Sequence, residues 1–122
     1  MKGTILIVDD DNRNIFALSA VLKAKGFTTV SATNMHEAFQ KLGDSEDTAC
    51  ILLDMMMPEM DGYEAMQELK ADQRWRQIPV LAVTAQAMAG DREKCLAAGA
   101  DEYISKPVDV DRLMELLNQY VK

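Results

Sequence analysis

Five residues able to do chemistry stand at the ends of four short apolar runs. Asp9 and Asp10 follow Ile5-Leu6-Ile7-Val8, Asp54 follows Cys50-Ile51-Leu52-Leu53, Thr84 follows Val80-Leu81-Ala82-Val83, and Lys106 follows Tyr103-Ile104-Ser105. If these runs are strands of one parallel sheet they all finish at the same edge, and carboxylates, a hydroxyl and an ammonium group meet in one crevice. Carboxylates held together repel each other, and a hard divalent cation with oxygen ligands relieves that repulsion. Mg²⁺ suits the set because it takes one or two carboxylates, keeps waters and shares phosphate oxygens. Thr84 and Lys106 offer the same phosphate a hydrogen bond and a point charge. A carboxylate in that setting can itself attack phosphorus and form an aspartyl phosphate. Asp54 is the candidate, because it ends the run that reads as most buried and precedes a methionine-rich loop open to a donor.

The elements that must position these residues follow from periodicity. Thr4 to Val8 reads as a strand, and the next helix, about Asn12 to Lys25, carries Ile15, Leu18, Val21 and Leu22 on one stripe, with Gly26 at its stop. Thr28 to Ala32 is short and less apolar, as an edge strand tends to be. Asn34 with Glu37 forms a capping-box pattern opening a helix to about Leu42, and a polar, acidic turn follows. Cys50 to Asp54 is apolar throughout, the pattern of a central strand covered on both faces. Pro58 and Gly62 mark a loop before a helix ending near Ala71. Val80 to Thr84 is a strand, Ala87 to Ala98 a helix stopped by Gly99, and Glu102 to Ser105 the last strand. Asp109 caps a final helix whose apolar face is Leu113, Leu116, Leu117 and Tyr120. This alternation predicts an α/β fold: a flavodoxin-like, doubly wound, five-stranded parallel sheet in the order 2-1-3-4-5 with five helices. Asp10 and Asp54 would then lie at its switch point.

The 122 residues predict one domain over 1–122, with the composition of an ordinary globular protein. A net charge of −7 opposes direct binding to nucleic acid or to anionic membrane. The apolar runs fall well short of the roughly 20 residues needed to cross a bilayer, and no targeting signal is visible, so neither membrane insertion nor export is expected. Cys50 and Cys95 are expected to be reduced and buried, in a cytoplasmic protein.

Four motifs, Ile5-Leu6-Ile7-Val8-Asp9-Asp10, Leu53-Asp54-Met55-Met56-Met57-Pro58-Glu59-Met60-Asp61-Gly62, Val83-Thr84-Ala85 and Ser105-Lys106-Pro107, occur in this order along the chain. Together they resemble the response-regulator receiver domains of two-component signalling, over essentially the whole chain. The resemblance implies that Asp54 is the phosphoacceptor and takes a phosphoryl group from a phosphohistidine on a histidine kinase or histidine phosphotransfer protein. It implies that Asp9, Asp10, Asp54 and the main-chain carbonyl of Met56 hold Mg²⁺, that Lys106 and Thr84 contact the phosphoryl oxygens, and that Lys106-Pro107 is a cis peptide. Tyr103 matches an aromatic position that turns inward when Thr84 is drawn to the phosphate, although packing against the last helix accounts for it nearly as well. The changed 4-5-5 face, around the fourth strand, fourth helix and fifth strand, would regulate a downstream partner, and a phosphorylation-dependent dimer through the fourth-helix face is compatible with this.

A narrower resemblance, in Arg13-Asn14-Ile15-Phe16-Ala17-Leu18, Ala82-Val83-Thr84-Ala85-Gln86-Ala87-Met88 and Gly90 to Ala100, is to receivers of hybrid histidine kinases. With no kinase or DNA-binding segment in the chain, it reads as a single-domain regulator or an excised receiver. Met56 and Gln86, each two positions beyond a site residue, sit where side chains affect water access, implying an intermediate phosphoryl lifetime. Ile15, Phe16 and Leu18 divide between core and a docking surface for the kinase. The remaining methionines of the loop, Met55, Met57 and Met60, read as packing. His36 is expected to face solvent, and Trp75, flanked by Arg74 and Arg76, to be a rim residue on the third helix. A small phosphatase that forms an aspartyl phosphate is the alternative, but it would need a second carboxylate where Met56 stands. A flavin- or nucleotide-binding domain ranks last, since no glycine-rich phosphate loop follows any strand.

Overall fold

The computed structural model describes residues 3–44, 47–57, 62–85 and 90–121. Strands β1 (Thr4–Val8), β2 (Thr28–Ala32), β3 (Thr48–Asp54), β4 (Val80–Thr84) and β5 (Glu102–Ser105) alternate with helices α1 (Asn12–Ala24), α2 (Met35–Asp44), α3 (Gly62–Ala71), α4 (Asp91–Ala98) and α5 (Val110–Tyr120). All strand pairings are parallel, in the order β2-β1-β3-β4-β5. The flavodoxin-like arrangement expected from the sequence is therefore the one observed.

Side chains alternate across each strand, so the sheet builds two cores. Leu6, Val8, Ile51, Leu53, Val80 and Ala82 meet α2, α3 and α4 through Met35, Ala38, Leu42, Ala65, Met66, Leu69 and Cys95. Ile5, Ile7, Cys50, Leu52, Leu81, Val83 and Ile104 meet α1 and α5 through Ile15, Leu18, Leu22, Leu113, Leu116 and Leu117. Covering both faces explains why the central strands read as unbroken apolar runs. β3 starts earlier than the apolar run, because Thr48 pairs with Thr4 across a register shift that hydropathy does not reveal.

Helix ends follow the expected chemistry. Asp11 caps α1 by accepting from the Arg13 N–H, and Asp109 caps α5 by accepting from the Asp111 and Arg112 N–H groups. Asn34 accepts from the Glu37 N–H at 2.8 Å, while the Glu37 carboxylate accepts from the Thr33 N–H at 2.8 Å. This is the capping box displaced by one residue on its return bond. α2 runs to Asp44, slightly beyond the expected end. The expected first turn of α4, residues 87–89, lies outside the described residues, and the observed helix begins after Gly90.

The strand entrances are tied by side chains. Asp101 accepts from the Val80 N–H at 2.8 Å and from Lys70 Nζ at 3.0 Å, and Lys70 also reaches the Ile78 carbonyl at 3.1 Å. The Tyr120 hydroxyl donates to the Asp101 carbonyl at 3.0 Å. One cluster thus joins α3, β4, the approach to β5 and the end of α5.

Trp75 departs from expectation. It is buried, with 9 % of its surface exposed, and its ring stacks on Phe39 of α2 with centroids 5.4 Å apart. Arg74 covers the ring at 4.1 Å from its centroid and is itself held by Asp72 at 2.9 Å. The flanking polar residues turn outward while the indole enters the core under α2 and α3, so it is no rim residue.

Cys50 and Cys95 are both free and buried, as expected. Burial pushes the Cys50 thiol from its usual 9.0 up to about 12. The unfolded chain releases this proton near the usual value and the folded chain retains it, so the contribution to stability declines as pH rises from about 9 to about 12. Native protein at neutral pH is expected to leave Cys50 unalkylated by iodoacetamide, whereas urea-unfolded protein labels it; peptide mapping reads the difference, and rapid native labelling would contradict this burial.

Candidate functional site

The exits of β1, β3, β4 and β5 converge as the strand order requires. Backbone bonds fix the exits against one another: the Asp9 N–H donates to the Ala32 carbonyl at 3.0 Å, the Met55 N–H to Val83 at 2.9 Å, and the Lys106 N–H to Thr84 at 2.8 Å. Asp9, Asp54 and Thr84 are buried, with 3 %, 4 % and 3 % of their surfaces exposed, whereas Asp10 faces solvent. Carboxylate oxygens of Asp9, Asp10 and Asp54 lie within 4.8 Å of one another. Lys106 reaches over both buried acids, its Nζ 3.2 Å from Asp54 Oδ2 and 3.4 Å from Asp9 Oδ2.

Each buried carboxylate is oriented by further donors. Asp54 Oδ1 accepts from the Met56 N–H at 2.9 Å. Asp9 Oδ1 accepts from the Asp11 N–H at 2.9 Å, and its Oδ2 accepts from the Asn14 side-chain amide at 2.5 Å. Burial raises the Asp54 pKa above the usual carboxylate value; the Met56 N–H and Lys106 pull it down, and the Asp9 charge pushes it up again. For Lys106, burial acts downward, but the charges of Asp54 and Asp9 outweigh it and leave its pKa raised. The all-oxygen donor set, with more negative charge than one lysine balances, fits a hard divalent cation.

The sequence-derived site residues fall into three groups. Asp9, Asp10, Asp54 and Lys106 are brought into direct proximity. Thr84 is buried at the same edge, opposite Ser105 in register, and the Met56 backbone approaches Asp54 through its N–H. Tyr103, half-buried on β5, packs with the core shared by α2, α3 and α4, on the opposite face from α5. Packing against the last helix therefore does not account for it. The Lys106–Pro107 peptide is cis. Gln86 and Met60 lie outside the described residues.

Other expectations meet the structure as follows. Met55 and Met57 are buried in the core, while Met56 is 43 % exposed. Ile15 and Leu18 are core residues, and Phe16 projects from α1 with 76 % exposure. His36 faces solvent. No helix among the described residues is long and apolar enough to cross a membrane. Asn14 has no role in the sequence reading; its signal is its place at the third position of a helix that opens beside Asp9, from which a side chain reaches back toward the strand exit.

A doubly wound parallel sheet with an acidic cluster and a lysine at its switch point defines a class of α/β domain whose site lies at the strand exits. The chain belongs to the response regulator receiver domain family, which it matches over residues 5–118. It is 37 % identical to the polar-differentiation response regulator DivK of Brucella anthropi over 121 residues, covering 99 % of this chain and 98 % of that protein. Among solved structures, the receiver domain of the sensor histidine kinase PA1611 of Pseudomonas aeruginosa, which has a magnesium ion coordinated in its active-site cleft, superposes with a TM-score of 0.86 at 32 % identity and 98 % coverage of both chains. The signal receiver domain of a signal transduction histidine kinase from Syntrophus aciditrophicus gives 0.86 at 33 % identity, covering 97 % of this chain and 89 % of that one.

Proposed function

We propose that residues 1–122 form a single receiver domain that accepts a phosphoryl group on Asp54 from a phosphohistidine of a histidine kinase or histidine phosphotransfer protein, in the cytoplasm. The observation that carries this reading is the placement of Lys106 Nζ 3.2 Å from Asp54 and 3.4 Å from Asp9, with both acids buried and Asp10 beside them. In the transfer, an oxygen of the ionised Asp54 carboxylate bonds to phosphorus as the phosphorus–nitrogen bond of the phosphohistidine breaks. The bonding pair leaves on the imidazole nitrogen, which takes up a proton. Asp9, Asp10, Asp54 and the Met56 carbonyl would hold Mg²⁺, whose charge would offset that on the phosphoryl oxygens. Lys106 leaves its place between the two acids to pair with a phosphoryl oxygen, and Thr84 donates its hydroxyl to another.

Movement of Thr84 toward the phosphoryl group opens space that Tyr103 enters, and the 4-5-5 face changes shape for a downstream partner or a second receiver. Phosphorylation supplies the charge, and this face is the two-state element it biases. The test is incubation with Mg²⁺ and acetyl phosphate followed by intact-mass measurement. Wild type is expected to gain one phosphoryl group and Asp54→Asn none; no adduct on wild type, or the same adduct on the variant, would refute the assignment.

A further inference from the structure

We infer that Asn14 is a positioning residue for the cation site: its side-chain amide fixes the Asp9 carboxylate in the orientation that holds Mg²⁺. The inference rests on the metal reading above and deepens it. Asp9 Oδ2 has two donors, Asn14 Nδ2 at 2.5 Å and Lys106 Nζ at 3.4 Å, while Oδ1 takes the Asp11 N–H at 2.9 Å. A carboxylate only accepts, so the amide must present its NH₂ group to it.

The two donors on Oδ2 differ in kind. Lys106 is a cation that is nearer to Asp54, repels a second cation and has a separate partner in the incoming phosphoryl group. Asn14 is neutral: it orients the carboxylate without cancelling the charge that attracts the metal, and it has no reason to leave when Lys106 does. Oxygen ligands held by outer hydrogen bonds lose less freedom on coordination, and deleting such a partner typically weakens metal binding by roughly 10- to 100-fold.

Asn14 lies half-buried on α1, where alanine is the better helix former, so Asn14→Ala is expected to fold. Isothermal titration with MgCl₂, paired with thermal unfolding in EDTA, tests the assignment. Asn14→Ala is expected to raise the Mg²⁺ dissociation constant by about 10-fold or more. Asn14→Gln, which keeps an amide donor, recovers part of that loss, and Phe16→Ala on the exposed side of the same helix leaves the constant at the wild-type value. Wild-type Mg²⁺ affinity in Asn14→Ala overturns the assignment alone, whatever happens to metal-free stability. Failure of wild type to bind Mg²⁺ overturns the metal reading and the assignment together.

Discussion

Lys106→Ala is expected to lose about 2–3 kcal/mol of stability at neutral pH without Mg²⁺, and to lose phosphoryl transfer as well. The variant leaves Asp9 and Asp54 facing each other, nearly fully buried, with no ammonium group between them. Removing one partner of a fully buried pair costs about 3–5 kcal/mol; the figure here is lower because the lysine side chain is 24 % exposed and water screens part of the interaction. The pH dependence separates charge from packing. Asp54 already binds its proton more tightly in the folded chain than in the unfolded one, and loss of Lys106 strengthens that preference. Stability of the variant should therefore fall as pH rises from the ordinary carboxylate range, about 4, toward neutrality. Urea titrations of wild type and variant at acidic and neutral pH measure this. A deficit that is the same at both would assign Lys106 a packing role only.

Trp75→Ala is expected to cost about 3–5 kcal/mol, the range for truncating a large buried aromatic. The ring is lost from the core beneath α2 and α3, Phe39 loses its stacking partner, and the Arg74 side chain loses the surface it covers. Trp75→Phe, which keeps a stacking ring, should retain much of that stability. Denaturant midpoints with an unchanged slope would establish the loss. A cost within about 0.5 kcal/mol of wild type is what an exposed rim residue would give, and would contradict the observed burial.

The two aromatic residues show where sequence reasoning ended. Helices are legible because each buries one face at helical spacing, Ile15, Leu18 and Leu22 on α1 and Leu113, Leu116 and Leu117 on α5, and the central strands because burial on both faces leaves an unbroken apolar run. The site edge was legible because parallel strands share an exit. Trp75 lies in an irregular segment, where no period marks the inward side, and its partner Phe39 belongs to a helix distant in the chain. For Tyr103 the strand alternation was available, but choosing its face required knowing that Ile104 packs toward α5. Asn14 is not legible from sequence because a neutral amide at the start of a helix looks like a capping residue, and only the distance to Asp9 distinguishes it.

The clasp around Asp101 has a consequence for how such a chain can change over time. Lys70, Val80, Asp101 and Tyr120 secure the strand entrances, at the edge away from Asp54. Substitutions at well-separated sites act nearly independently on stability. The hydrogen bonds at the quiet edge therefore keep their contribution when a residue at the reactive edge is exchanged. Residues at the strand exits can thus change on a frame whose entrances are secured elsewhere.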